Sequence, residues 1–252
     1  MSGGECMAYA NTFMRKEVKY LLSETEYAAV RSAMATHMTE DKYGKHTICS
    51  LYCDSENSDL IRRSLDKPVY KEKLRLRTYG VPSDDSRAFL EIKKKFKGVV
   101  YKRRVELSYK ELFDYVSAGV RPELKSQVMD EIDNMLSRCG LVPKMVICYD
   151  RRAFFGNDDV EFRITFDGNI RSRTDMLDLR SGDGGKLVEG QPFRIMEIKS
   201  AGAVPIWLCE TLSRLKIYPG SFSKYGSAYA AEIQKGISAD NDRRIDICSQ
   251  VS

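Results

Sequence analysis

The sequence predicts an α+β chain built around one closed or nearly closed antiparallel barrel of about eight strands, with helices packed outside it. Three observations carry that prediction. Successive segments alternate charged and apolar side chains, the two-residue period of a strand. Between them run apolar stripes at helical spacing, several opened by a capping residue. Positive charge is concentrated in consecutive strands, with twelve Lys and Arg against five acids between Lys71 and Leu107.

The elements follow in order. Residues 1–11 read as a loose polar leader. Asn11 to Leu22 alternates as a strand, with Arg15, Glu17 and Lys19 on one face and Met14, Val18 and Tyr20 on the other. Ser23 and Glu26 form a capping box, and Tyr27, Val30 and Met34 carry a helix to about Thr36. Thr47 to Asp54 is a second strand, and a short helix over Ser58 to Leu65 is closed by Pro68. Three basic strands come next. Lys71, Lys73, Arg75, Arg77 and Tyr79 share one face against Leu74 and Leu76, while Glu91, Lys93, Lys95 and Lys97 oppose Ile92 and Phe96. A second capping box, Ser108 with Glu111, starts a helix that buries Leu112, Phe113 and Val116.

Pro122 is expected as the first residue of the following helix, whose stripe is Leu124, Val128, Ile132 and Met135, with Gly140 just past its end. Met145–Phe155 and Val160–Asp167 form a hairpin across residues 156–159. Asp178 to Gly190 is expected as loop; its glycine run, Ser181 to Gly185, lacks the lysine and the strand-to-helix setting of a phosphate-binding P-loop. Phe193–Ser200 is a strand, Pro205 starts a helix with Trp207, Leu208, Leu212 and Leu215 as its stripe, and a final helix runs from Ser223 to about Lys235 at the barrel mouth. The tail, residues 237–252, has no core pattern and is expected to be disordered. Residues 12–236 make a single domain, without repeat or linker.

Composition narrows the function classes. Seven cysteines without a CxxC pair, and only two histidines, argue against a zinc site and for small core thiols in a reducing compartment. No run approaches about 18 apolar residues, and the start lacks a basic-then-apolar signal, so a soluble cytoplasmic protein is expected. The net charge of +5 is modest, and its concentration in a few strands suggests a local anionic ligand in place of general nucleic-acid coating.

The charged alternation extends beyond the basic strands. Arg151 follows Tyr149 at strand spacing, Arg163 sits in the otherwise apolar FRITF, and Glu197 and Lys199 alternate with Met196 and Ile198. If helices cover the apolar face from outside, the charged face points inward. A lumen lined by Lys19, Arg75, Arg77, Lys93, Lys102, Arg104, Arg151, Arg163 and Lys199 is tolerable only when wet and occupied by anions, because burying an unpaired cation costs several kcal/mol. Phosphate suits it, since Arg grips phosphate bidentately and Lys acts as a point charge. Glu17, Glu91, Glu106 and Glu197 fall on or near the same faces, as ion-pair partners or as oxygen ligands for a divalent metal.

The ordered series RKEVKY (15–20), SLYCD (50–54), KLRLRTYG (73–80), EIKKK (91–95), KRR (102–104), YDRRAF (149–154), FRITFD (162–167), MEIK (196–199) and SFSKY (221–225) resembles the triphosphate tunnel metalloenzymes. Within that superfamily it is most similar to the catalytic domain of the vacuolar transporter chaperone polyphosphate polymerases and their stand-alone bacterial relatives. The resemblance spans Met14 to about Tyr229. It implies an eight-stranded antiparallel tunnel that binds a nucleoside triphosphate and a growing polyphosphate chain. Arg75, Arg77, Arg151, Arg163 and Lys93 are then the catalytic set. Lys19, Lys102, Arg104, Tyr149, Lys199, Ser223 and Lys224 bind phosphate, and Glu197, with Glu17 as a second candidate, holds Mn2+ or Mg2+. Ser223 would also cap the last helix, whose free N–H groups favour an anion.

Arg15 stands where the superfamily's ExExK signature has its first glutamate, which disfavours two-metal hydrolases and class IV cyclases. Without the regulatory domain and membrane helices of the eukaryotic complexes in this sequence, coupling of synthesis to translocation is not expected from it. The expected activity is metal-dependent transfer of the γ-phosphate of ATP onto polyphosphate, or onto a phosphate or pyrophosphate primer. The alternatives are a hydrolase of tripolyphosphate or nucleoside triphosphate with the same fold, and a polyphosphate-binding module without turnover. RNA is the weakest ligand, because only Tyr79 and Tyr101 could stack bases within the basic window.

Overall fold

The computed structural model describes residues 16–97 and 99–234. The leader, the first residues of the opening strand, the end of the last helix and the tail lie outside them. Ten strands and six helices follow one another in the described chain. They are β1 (Lys16–Leu22), α1 (Glu24–Met34), β2 (Met38–Glu40), β3 (His46–Asp54), α2 (Asp59–Leu65), β4 (Tyr70–Tyr79), β5 (Arg87–Phe96) and β6 (Val99–Ser108). After them come α3 (Tyr109–Ala118), α4 (Gln127–Cys139), β7 (Val142–Gly156), β8 (Arg163–Arg173), β9 (Lys186–Leu187), β10 (Arg194–Ser200), α5 (Ile206–Arg214) and α6, residues 224–234.

Every strand pair is antiparallel, and eight strands form one curled sheet in the order β1-β10-β8-β7-β3-β4-β5-β6. The short β2 and β9 attach to β7 and β8. Among the described residues β1 and β6 do not pair with each other, so the wall is a curl with one open seam. The α+β tunnel architecture expected from the sequence is the one observed.

Alternation divides each strand between the two faces of this wall. Leu51, Leu74, Leu76, Leu90 and Ile92 point outward and pack with Leu112, Met129 and Ile132 of α3 and α4. On the opposite flank Leu22, Phe166, Met196 and Ile198 pack outward with Val30, Met34 and Leu208 of α1 and α5. Fully burying each such side chain contributes about 1.5–3 kcal/mol. Two helical layers therefore satisfy the apolar face from outside, and the charged face is turned inward. A third cluster lies on that inner face, where Tyr225 and Ala228 of α6 pack against Ile48, Tyr52, Ile147 and Tyr149.

Local chemistry sets most boundaries. Ser23 with Glu26 and Ser108 with Glu111 are complete capping boxes, each serine accepting the N3 N–H while the glutamate accepts the cap N–H. Gly140, at φ +55°, ends α4 in the left-handed conformation that glycine adopts without penalty.

Four expectations are corrected. Pro122 does not start α4: Ser126 is its N-cap, its Oγ accepting the Met129 N–H at 3.2 Å, and residues 119–126 are loop. The second strand of the hairpin starts at Arg163, not Val160, because the turn is held by Gly156 N–H donating to Phe162 O at 2.9 Å and Phe162 N–H to Asp159 O at 3.0 Å. The span from Asp178 to Gly190 is not all loop, since it holds a 3-10 turn, Leu179–Ser181, and β9. Helix α1 ends at Met34, two residues short of Thr36, and leads into β2, which the sequence reading omitted.

A charged tunnel as the candidate active site

Three buried carboxylates organise the inner face, and each gathers cations from more than one element. Glu91 on β5 is 1% exposed. Its Oε2 accepts from Arg75 Nε at 2.7 Å and lies 3.7 Å from Arg77 Nη1, and its Oε1 lies 2.6 Å from Lys102 Nζ. Cross-strand register brings these groups together, with Arg75 opposite Glu91 on β4 and Lys93 opposite Lys102 on β6. Burial disfavours the Glu91 anion, but Arg75, Arg77 and Lys102 outweigh it and hold the carboxyl well below the usual range.

Asp167 on β8, also 1% exposed, receives Arg151 Nε and Nη2 at 2.7 and 2.8 Å and Lys224 Nζ at 2.7 Å. Tyr149 links this group to the first. Arg77 Nη2 donates to its hydroxyl at 3.3 Å, and Arg151 and Lys224 lie 5.4 and 4.4 Å from its ring centroid. Glu197 on β10 is paired with Lys199 at 2.8 Å and Lys19 at 3.8 Å, and these cations overcome its burial to bring the carboxyl down to about 2. One ion pair reaches across from β5 to β1, Lys93 Nζ to Glu17 Oε1 at 3.7 Å.

The start of α6 completes the lining. Ser223 is its N-cap, the Oγ accepting the Gly226 N–H at 3.1 Å and also taking a bond from Lys73 Nζ at 3.2 Å. Burial, with repulsion from Lys71, Lys93 and Lys19, pushes the Lys73 ammonium down to about 8. The Tyr52 hydroxyl accepts from Arg75 Nη1 at 3.2 Å. Burial opposes its ionisation, yet Arg75, Arg77 and Lys73 bring the phenol down to about 7.

The sequence-derived residues are mostly gathered here. Lys19, Arg75, Arg77, Lys93, Lys102, Tyr149, Arg151, Glu197, Lys199, Ser223 and Lys224 face one lumen, in the separate groups described above. Arg163 is on the same face, opposite Lys199 in register, but exposed and without an ion pair among the described residues. Arg104 is exposed on the edge strand β6, its guanidinium 4.5 Å from the Phe89 ring centroid. The sequence reading placed Lys73 on the charged face without a role, and it missed Asp167, Tyr52 and Ser50, whose Oγ accepts from Arg77 Nε at 3.3 Å. Asp167 lies two and four residues after Thr165 and Arg163, so strand alternation alone put it on the charged face.

Among the described residues no three carboxylate, imidazole or thiol side chains converge into a preformed metal cage. Magnesium-type ions do not need one: they keep several waters and take one or two carboxylates together with phosphate oxygens. Glu197 is such an anionic donor, with Glu17 its diagonal neighbour across β1 and β10. The Thr165 hydroxyl, directly opposite Glu197, is buried without a hydrogen-bond partner, so a polar group beside it is wanting. The residues present fit a hard cation held in this way.

The fold and lining define a triphosphate-tunnel architecture. A candidate adenylate cyclase from Bacillus halodurans superposes with a TM-score of 0.54 at 13% identity, over 83% of this chain and 95% of that one. A candidate adenylyl cyclase from Hippeastrum, described as having a dominant triphosphatase activity, reaches 0.50 at 14% identity, over 86% and 96%. At such identities the likeness is one of fold. No curated protein matches the sequence. The VTC domain profile matches residues 14–233, nearly the whole described chain, and the protein belongs to the VTC domain family. No helix among the described residues is long and apolar enough to cross a membrane.

Proposed function

We propose that this protein is a metal-dependent phosphotransferase that extends inorganic polyphosphate from the γ-phosphate of ATP inside the tunnel. The observation that supports it most directly is the surplus of inward-facing cations. Among the described residues Arg75, Arg77, Lys102, Arg151, Lys224, Lys19, Lys199 and Lys93 pair with four acids, Glu91, Asp167, Glu197 and Glu17, and Lys73 joins no ion pair. Such a surplus calls for a polyanion with closely spaced charges, and a phosphate chain supplies one per phosphate.

In this reading Arg75 and Arg77, presented side by side on the wall and already oriented by Glu91, bind the transferring phosphoryl group. Lys93, Lys102 and Arg151 neutralise charge on the flanking phosphates, and Arg163 receives the chain at its exposed position. Lys19, Lys199 and Tyr149 border the phosphate path, and Arg104 extends it along the edge strand. Ser223 and the first N–H groups of α6 offer an anion site beside Lys224. Glu197 and Glu17 would hold a divalent ion, which when bound adds charge neutralisation at the β- and γ-phosphate oxygens. Catalysis rests on positioning and electrostatic stabilisation of a phosphoryl group passing between two oxygens.

A hydrolase with the same lining is the second reading, favoured by the triphosphatase described for the Hippeastrum protein. The two separate on incubation with ATP and Mn2+ or Mg2+. Growth of a polymer supports the transferase, release of orthophosphate alone supports the hydrolase, and binding without either product overturns both.

A further inference from the structure

Asp167 holds an arrangement that an ordinary structural ion pair does not require. One carboxylate receives the two-pronged guanidinium of Arg151 at 2.7 and 2.8 Å and, on Oδ2, the Lys224 ammonium at 2.7 Å. The three groups come from β8, β7 and α6, and both cations lie near the ring of Tyr149, 5.4 and 4.4 Å from its centroid. A fork plus a point charge converging on two oxygens is how proteins hold a phosphate. Here the two oxygens belong to the protein itself, and two positive charges meet one negative charge.

We propose that Asp167 fills an anion position inside the tunnel and so sets how far a phosphate chain can penetrate; this rests on the phosphotransfer reading above. A chain bound along Arg75 and Arg77 is led toward Arg151 through Tyr149, whose hydroxyl already accepts from Arg77. The next place along that path is occupied by a carboxylate that is 1% exposed and tied on both oxygens. The chain end therefore stops short of it, with the reacting phosphate beside Arg75 and Arg77. Asp167 acts through Arg151 and Lys224 and is a positioning residue. Neutralising it leaves the fork and the ammonium without their anion and removes the charge that repels the chain end, which shifts toward them, tightly bound but out of register.

Titration calorimetry with tripolyphosphate in the absence of metal, together with ATP turnover in Mn2+ or Mg2+, tests this on the full chain. Asp167→Asn keeps the shape and removes the charge. Its expected behaviour is roughly threefold to tenfold tighter tripolyphosphate binding, the scale of one unit charge removed at close range in a wet site. Turnover at saturation should drop by about the same factor, with KM and kcat falling together, as nonproductive binding requires. Asp167→Glu keeps the charge and should show no tightening. Unchanged or weaker tripolyphosphate binding by Asp167→Asn overturns the proposal and leaves Asp167 as a structural clamp on α6. If the wild-type protein binds tripolyphosphate but turns nothing over, the phosphotransfer reading fails, while the affinity comparison still decides the role of Asp167.

Discussion

Arg75 and Glu91 face each other on neighbouring strands inside the tunnel, Nε to Oε2 2.7 Å apart, with the glutamate 1% exposed. The pair fixes the guanidinium, so that its remaining N–H groups reach the lumen without a search through rotamers. Replacement of Arg75 by Ala should lower turnover by about 10²–10³-fold, the usual cost of a lost oxyanion donor. Glu91 keeps Lys102 and Arg77, so the fold should survive with a stability loss of about 1–3 kcal/mol. Circular dichroism and a melting curve check the fold, and wild-type turnover in this variant would remove the tunnel from the chemistry. Arg75→Lys retains the charge but not the fork, and should recover little activity.

Glu197 answers to a different test. In Glu197→Gln, Lys199 and Lys19 lose their shared carboxylate. Tripolyphosphate should bind as well as before or better in chelator, while turnover no longer rises with added Mn2+ or Mg2+. A metal titration that still saturates at the wild-type concentration would move the ion elsewhere.

The pH response should run in opposite directions for binding and for stability. Lys73 titrates near 8 in the folded protein instead of 10.5, chiefly because it is buried and then because lysines surround it. Between about pH 8 and 10 the folded chain has therefore released a proton that the unfolded chain still holds. Stability accordingly rises with pH in that window as far as this group decides it, since the unfolded state binds more protons. Tyr52, brought down to about 7, acts in the same sense. Polyphosphate binding needs the ammonium and should weaken as pH rises through 8. Calorimetry at pH 7, 8 and 9 reads the first effect, denaturant midpoints the second. In Lys73→Gln the fall in affinity with pH should shrink.

Asp54 is the hinge point of the packing beneath the site. Its carboxylate accepts the N–H groups of Ser55, Leu60 and Ile61 at 2.8–3.0 Å, and Tyr225 Oη–H of α6 at 3.0 Å. Asp54→Ala strands several buried donors and should destabilise the fold by about 2–4 kcal/mol. It should also lower affinity for polyphosphate, because Tyr225, stacked on Tyr52 at 4.6 Å, anchors the helix that carries Ser223 and Lys224. A variant of unchanged melting temperature would show that α6 is held by its apolar contacts alone.

Much of this architecture is written in short-range pattern. The two capping boxes, the alternation of KLRLRTY and EIKKK and the glycine after Cys139 each act over a few residues, and each forms as its local chemistry dictates. Where two local signals competed, one had to lose: Pro122 suits a first helical turn, but Ser126 supplies an actual N-cap bond four residues later. Strands of two or three residues, such as β9 and β2, are too short to show a period at all. The inward cations were legible because charge on one face of an amphipathic strand needs only the rule of alternation. Glu17, Glu91 and Glu197 were legible by the same rule, but not which partner each inward cation would meet. Lys224 meets Asp167 across 57 positions and Lys73 meets Ser223 across 150, contacts that exist only once the sheet has curled and α6 has come to lie against its inner face.

The surplus of lumenal cations has one more effect. A pore with fixed positive charge on its walls behaves as a single-molecule ion exchanger: in any buffer it holds mobile anions, and a phosphate chain enters by swapping places with them. Each phosphate that docked would release about one small ion to solvent, so association would be driven by regained freedom as well as by attraction. In the phosphotransfer reading the grip on a chain should therefore weaken as background salt rises, which would loosen a product that the walls otherwise retain.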